Sequence, residues 1–153
     1  FGTVSGKKIA ILGFSFKANT NDTRESAAIQ ICKNLIEEGA FLHIHDPKVD
    51  SKQIAKDLNM KPILDEGAIN IDKTNSGMWK MVDNLEDVFE EIDASLILTE
   101  WEDYSKINWQ SAAEKMRAPS WVFDSRSVVD QKNVLAAGLN FWRIGDGSGN
   151  KDL

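Results

Sequence analysis

Short apolar runs alternate along this chain with segments in which apolar residues recur at helical spacing. The runs at residues 8–13 and 94–99 are apolar on both faces, which is typical of strands buried between two layers. The segments at residues 25–38 and 104–117 carry apolar residues on one helical face. Alternating strands and helices predict a parallel sheet with helices on both of its faces and right-handed crossovers.

The complete pattern predicts an α/β fold, a three-layer α/β/α Rossmann-like domain with a six-stranded, mostly parallel sheet. We expect strands at residues 8–12, 41–45, 78–82, 94–99, 121–123 and 139–142. We expect helices at residues 25–38, 51–58, 84–91, 104–117 and 131–137, with Asp22 or Thr23 capping the first of them and a loop over 61–77. Residues 1–144 are predicted to form one domain, and the polar, glycine-rich residues 145–153 a flexible tail.

Composition excludes several classes of partner. The chain of 153 residues has a net charge of -6, which disfavours general attraction to nucleic acid or to an anionic membrane. We expect no membrane association, because no stretch approaches the roughly 20 apolar residues that span a bilayer. The one cysteine and the absence of a signal-peptide pattern in residues 1–8 lead us to expect a cytoplasmic protein. Since no methionine starts the sequence, we expect a piece of a longer chain.

Ligands of such sheets bind beyond the carboxyl ends of the strands, near the point where the strand order reverses. The places to search therefore follow Gly13, Asp46, Thr99 and Phe123. The segment after Gly13 contains neither the Gly-x-Gly-x-x-Gly dinucleotide fingerprint nor a Walker loop. We therefore expect that the first strand does not bind NAD in the usual way.

Cations follow two of these strands. Lys17 and Arg24 come after the first strand, with Phe16 beside them, and Arg126 comes after the fifth. Lysine suits an anion or a sugar oxygen, and the arginine fork suits a phosphate. The spacing of Lys17 and Arg24 is equally consistent with two solvated surface charges and with a ligand-binding site. Adding Arg126 at the same edge of the sheet favours a site for a phosphorylated or otherwise anionic ligand.

Other polar residues favour structural roles. Asp46 is expected to form the Asp-Pro turn, and Asp124 to orient Arg126 or to cap the next turn. We expect Trp101 to be buried beneath the following helix rather than to contact a ligand. His43 and His45 alternate along a strand without a cluster of further metal ligands, and Cys32 lies on an apolar helix face, so we predict neither a metal site nor a nucleophile there.

Five motifs resemble the C-terminal domain of UDP-glucose 6-dehydrogenases in order along the chain. They are GKKIAILGFSFK at residues 6–17, NDTRES at 21–26, DPKV at 46–49, TEW at 99–101 and FDSR at 123–126. The resemblance implies the substrate-binding part of an NAD-dependent enzyme that oxidises UDP-glucose to UDP-glucuronate in two steps. It also implies a separate N-terminal NAD-binding domain and a homo-oligomeric full-length protein.

The same resemblance assigns roles to individual residues. It implies that Lys17, with Phe16 beside it, and Arg126 contact the UDP-sugar, and that Arg24 reaches the NAD held by the other domain. The catalytic cysteine of the family lies upstream of this domain, and Cys32 is in no matching motif. We therefore expect no catalytic residue in this chain and no activity from it alone.

Two alternatives remain open at this stage. One is a domain from a dehydrogenase of another UDP-sugar, such as a UDP-N-acetylmannosamine; the TEW motif at residues 99–101 favours glucose. The other is a non-enzymatic α/β interaction module such as a receiver-like domain. A receiver requires an acidic pair after its first strand, where this chain has Gly13 and Phe14.

Overall fold

A computed structural model describes residues 3–64 and 77–143 of the chain. Six strands occur in this part: β1 Lys8–Leu12, β2 Phe41–His45, β3 Met78–Met81, β4 Ala94–Ile97, β5 Trp121–Asp124 and β6 Asn140–Arg143. The helices are α1 Ala27–Glu37, α2 Ser51–Leu58, a 3₁₀ helix Leu85–Phe89, α3 Glu102–Ser105, α4 Trp109–Lys115 and α5 Gln131–Ala136. The predicted tail at 145–153 and most of the predicted loop at 61–77 lie outside the described residues.

The six strands form one sheet in the order β3-β2-β1-β4-β5-β6, and every pairing is parallel. The predicted α/β fold is confirmed, with a fully parallel sheet in place of the mostly parallel one. The order reverses between β1 and β4, so the carboxyl ends of these two strands form the switch point of a doubly wound fold. The segments after Gly13 and Thr99 therefore start side by side.

Each face of the sheet has its own apolar core. Along β1, Ile9 and Ile11 pack with α1 and α2, whereas Ala10 and Leu12 pack with residues of α3, α4 and α5. Side chains that alternate between two buried layers explain why the strand is apolar at successive positions. The helices thus lie on both faces, as predicted.

Three helix predictions need correction. The helix predicted at 104–117 is divided into α3 and α4, because Asn108 accepts a hydrogen bond from the Ser111 N–H at 3.1 Å and starts a new helix as its N-cap. The helix predicted at 84–91 is the short 3₁₀ helix. The cap of α1 is Ser26, whose Oγ accepts from the Ala28 N–H, and not Asp22 or Thr23.

Candidate functional site at the switch point

The loop that joins β1 to α1, residues 13–26, is named the switch-point loop. It begins at Gly13, which has φ +101°. A Cβ at this position would lie 2.4 Å from the Thr99 Cβ and 2.8 Å from the Thr99 N. Only glycine therefore allows the end of β1 to approach the segment after β4 this closely.

Phe16 and Lys17 project from this loop at the surface. The Phe16 side chain is 42% exposed, which is unusual for a large aromatic ring, and Lys17 is exposed beside it. The Phe16 N–H donates to the Asp22 carbonyl at 2.7 Å, so the loop folds back on itself at this point. An exposed ring next to an ammonium group can pack against a sugar or a base and hold an anion beside it.

Arg126 reaches the switch-point loop from the end of β5. Its Nε donates to the Leu98 carbonyl at 3.0 Å, and its Nη2 donates to the Phe16 carbonyl at 3.4 Å. These bonds use two of the five N–H groups of the guanidinium, so others are available to a phosphate. The structure thus brings Arg126 to the segment that carries Phe16 and Lys17, 110 positions away in sequence.

Glu100 connects the two cationic segments. Its Oε1 accepts from the Ala18 N–H at 3.1 Å, and its Oε2 lies 3.5 Å from the Arg126 Nε. A carboxylate between the loop and the guanidinium holds both in place. The position of Glu100 after a strand was predictable from the sequence, but this bridge depends on β4 lying between β1 and β5.

Arg24 lies on the same loop and pairs with a neighbour. Its Nη2 is 2.8 Å from the Asp22 Oδ2, although its side chain is 88% exposed. The hydrogen bonds from Arg24, with a smaller contribution from the charge of Lys17, lower the pKa of Asp22 to about 2. Lys17 and Arg24 therefore both act on the Asp22 carboxylate, while Arg126 contacts the loop through Phe16.

Asp124 shapes the turn that carries Arg126. Its Oδ1 accepts from the Arg126 N–H at 3.0 Å, and its Oδ2 accepts from the N–H groups of Val128 and Val129 at 2.8 and 2.9 Å. The carboxylate is fully buried, and Arg143 lies 3.5 Å from it. The two roles expected for Asp124, orienting Arg126 and capping the turn, are both present.

Trp101 and Asp46 are buried together behind the site. The indole is 5% exposed, as expected for a ring beneath the next helix, and its Nε1 lies 3.3 Å from the Asp46 Oδ2. Asp46 also accepts from the N–H groups of Lys48 and Val49, which forms the expected turn. The sequence did not indicate that Asp46 also contacts the segment after β1.

The histidines and the cysteine have structural surroundings. The His45 Nδ1 lies 2.9 Å from the Tyr104 hydroxyl, and burial lowers the pKa of this histidine. Cys32 is fully buried in the α1 layer, and burial raises the pKa of its thiol, which opposes thiolate formation. Among the described residues, no group of three or more His, Cys, Asp or Glu side chains is suited to hold a metal ion.

Two further features bear on ligands and location. A groove of about 560 Å³ lies between the 3₁₀ helix and the α3–α4 pair, and none of the residues predicted for the site lines it. Within residues 3–64 and 77–143, no helix has both the length and the apolar character needed to cross a bilayer. The switch point remains the place where the predicted residues converge.

Curated relatives resemble almost the whole chain. A "UDP-glucose 6-dehydrogenase 4" of Oryza sativa subsp. japonica is 38% identical over 148 residues, which is 95% of this chain and 31% of the relative. The UDP-glucose 6-dehydrogenase of Drosophila melanogaster is also 38% identical, over 95% of this chain and 29% of the relative. The chain thus spans about a third of the length of these relatives.

Solved structures share the fold. A UDP-D-ManNAc dehydrogenase from Pyrococcus horikoshii superposes with a TM-score of 0.68 at 24% identity, over 99% of this chain and 27% of that one. A UDP-glucose dehydrogenase from Pyrobaculum islandicum gives 0.60 at 22% identity, over 92% and 26%. The family model of the UDP binding domain of UDP-glucose/GDP-mannose dehydrogenases matches residues 10–131, which include the switch-point loop and Arg126. The chain therefore belongs to the UDP-glucose/GDP-mannose dehydrogenase family and contains its UDP binding domain.

Proposed function

We propose that this chain is the substrate-binding part of an NAD-dependent UDP-glucose 6-dehydrogenase, which oxidises UDP-glucose to UDP-glucuronate in two steps. The observation that carries the proposal is the hydrogen bond from Arg126 to the Phe16 carbonyl. It brings Arg126, which follows β5, to the main chain next to Lys17, which follows β1, in a domain that matches the family's UDP binding domain. The 38% identity to UDP-glucose 6-dehydrogenases supports glucose as the sugar.

In this proposal the two cations bind the diphosphate. Arg126 offers its remaining N–H groups in a planar fork, and Lys17 contributes a compact charge at the other side. Phe16 packs its exposed ring against the ligand. With a net charge of -6 on the whole chain, these local cations and main-chain N–H groups must supply the attraction.

Catalysis and the cofactor belong to the rest of the protein. NAD would be bound mainly by a separate N-terminal domain, with Arg24 facing it across the cleft. The second oxidation needs a thiolate nucleophile, and Cys32 is buried with a raised thiol pKa. We therefore propose that the 153-residue chain is inactive alone and works within a cytoplasmic homo-oligomer, without nucleic-acid or membrane partners.

Replacing Lys17 in the full-length enzyme tests the site. Lys17→Ala is expected to raise the KM for UDP-glucose about 10- to 100-fold, since a hydrogen bond to a charged group contributes roughly 1.5–3 kcal/mol. Steady-state kinetics at varied UDP-glucose measure the effect. Lys33→Ala, at an exposed position in the middle of α1, is the control and should leave KM unchanged. An unchanged KM in Lys17→Ala would refute the assignment.

A panel of UDP-sugars tests the substrate. The fold is shared with a UDP-D-ManNAc dehydrogenase, so a second UDP-sugar is the alternative substrate. We expect the full-length enzyme to have its highest kcat/KM with UDP-glucose and to release UDP-glucuronate, identified by mass spectrometry. A higher kcat/KM with a UDP-N-acetylhexosamine would replace glucose in the proposal but leave the roles of Lys17 and Arg126 intact.

A further inference from the structure

The two residues before Phe16 are held at every main-chain polar group by side chains from elsewhere in the chain. The N–H groups of Phe14 and Ser15 donate to the Asp46 Oδ2 at 2.8 and 3.0 Å. The Phe14 carbonyl accepts from the Ser26 Oγ at 2.8 Å, and the Ser15 carbonyl accepts from the Thr99 Oγ1 at 2.9 Å. The segment that leads directly into Phe16 and Lys17 is therefore fixed in place.

Asp46 is the centre of this arrangement. Besides Phe14 and Ser15, its carboxylate receives the N–H groups of Lys48 and Val49 and the indole of Trp101, which makes five donors. The donors come from the segments after β1, β2 and β4, three neighbouring strands of the sheet. A carboxylate that is only 6% exposed needs such partners to offset its desolvation. Asp46 therefore fixes the relative positions of three strand ends.

We propose that Asp46 is a positioning residue for the UDP-sugar site, acting through the main chain that carries Phe16 and Lys17. The inference rests on the proposed function. Lys17 has a long, flexible side chain, so the reach of its ammonium group depends on where its Cα is held. Misplacing a binding group by about 1 Å can reduce a rate by roughly 100-fold. Removing the Asp46 bonds should therefore weaken substrate binding without removing any group that touches substrate.

The opposite end of the sheet offers a matched buried acid. Asp93 is 9% exposed, accepts from the Lys8 N–H at 2.9 Å, and pairs with Arg117 at 2.8 Å. It lies before β4, whereas Asp46 lies after β2. Asp93→Asn therefore disturbs a buried carboxylate that bonds to main chain, at the end of the sheet that does not carry the site.

The test compares Asp46→Asn, Asp93→Asn and Lys17→Ala in the full-length enzyme. Both carboxylate oxygens of Asp46 accept hydrogen bonds. In Asp46→Asn an NH₂ group, which can only donate, replaces one of these oxygens, so the hydrogen bonds to that oxygen are lost. In Asp46→Asn we expect the KM for UDP-glucose to rise at least tenfold and the KM for NAD to change less than twofold. The Kd of UDP, measured by calorimetry, should rise together with the KM for UDP-glucose. Asp93→Asn should lower the unfolding midpoint and leave both KM values unchanged.

A second variant covers the case in which Asp46→Asn does not fold. Thr99→Val keeps the shape of the side chain but removes the hydroxyl that holds the Ser15 carbonyl. It should raise the KM for UDP-glucose by about three- to tenfold, with the KM for NAD unchanged.

The outcomes separate the inference from the proposed function. If Lys17→Ala raises the KM for UDP-glucose but the folded Asp46→Asn and Thr99→Val enzymes do not, the positioning role is wrong and the site assignment stands. If Asp46→Asn raises both KM values together with a loss of stability like that of Asp93→Asn, Asp46 is only structural and the inference is overturned. If Lys17→Ala itself has no effect, the site assignment of the proposed function is the part that fails.

Discussion

At the scale of single residues, the switch-point loop contains a charge pair between Asp22 and Arg24. The single Nε–H of Arg24 is shared between both carboxylate oxygens of Asp22, which also accepts from the Arg24 Nη2 and from the Arg24 main-chain N–H. Because the pKa of Asp22 is lowered from 3.8 to about 2, the carboxylate stays ionised through the mildly acidic range. Any stabilisation by the pair is complete above pH 3.8 and is lost as the pH falls through about 2.

Arg24→Gln tests the origin of this shift. We expect the pKa of Asp22 to rise from about 2 towards 3.8, because the strongest hydrogen bonds to the carboxylate are removed. It should not rise fully, since the main-chain N–H of residue 24 and the charge of Lys17 remain. Carboxyl-carbon NMR titration measures the change, with Lys33→Gln as control. A pKa that stays near 2 in Arg24→Gln would mean that other groups hold the carboxylate ionised.

At the scale of secondary-structure elements, the end of β1 is in close contact with the segment after β4. The switch point requires these two strands to lie side by side, and at Gly13 the backbone lies so near Thr99 that an added Cβ would be 2.8 Å from the Thr99 N. The Thr99 hydroxyl then bonds to the Ser15 carbonyl across the same junction. The site therefore depends on the absence of a side chain at Gly13.

Gly13→Ala tests this junction. The new Cβ would meet the Thr99 main-chain N at 2.8 Å, so a change of side-chain rotamer cannot relieve the clash. We expect a loss of about 2–5 kcal/mol in the free energy of unfolding, from overpacking and an unfavourable φ together. Gly138→Ala is the matched control: its φ is +84° but nothing lies within 4 Å of its Cβ, so it should lose roughly 1 kcal/mol. Urea denaturation compares them, and equal losses would contradict the steric explanation.

At the scale of the whole molecule, the helices do not cover the two halves of the sheet to the same extent. Right-handed crossovers place the helices after β1 and β2 on one face and those after β4 and β5 on the other. On the α1–α2 face, β5 and β6 present Trp121, Phe123 and Trp142, which belong to neither core cluster. The ring centroid of Phe123 lies 5.6 Å from that of Trp121 and 6.2 Å from that of Trp142, so the three rings partly cover one another.

Two tryptophan substitutions test this difference in coverage. Trp142 is 42% exposed, so Trp142→Ser is expected to change the free energy of unfolding by about 1 kcal/mol or less. Trp79 on β3 is fully buried and its Nε1 donates to the Met60 carbonyl, so Trp79→Ala should cost roughly 3–5 kcal/mol. Chemical denaturation of both variants measures the contrast. A large loss in Trp142→Ser would mean that the face around this ring is well packed.

Local patterns in the sequence determined most of the secondary structure and the class of fold. Buried strands such as β1 are apolar at successive positions, here residues 9–12, and polar segments separate them from helices with one apolar face. The turn-forming roles of Asp46 and Asp124 were also predictable, because their acceptors serve N–H groups two to five positions away. Because these hydrogen bonds join residues close together in the chain, the order of residue types in the sequence is enough to predict them.

Only the tertiary structure decided which of these residues meet. Arg126 bonds to Phe16 and Asp46 bonds to Phe14 over separations of 110 and 32 positions, and both contacts depend on the strand order. The sequence determined that cations follow β1 and β5, because local patterns set where strands end. The sheet decided that Arg126 reaches the segment after β1, because pairing between distant strands determines which strand ends are neighbours.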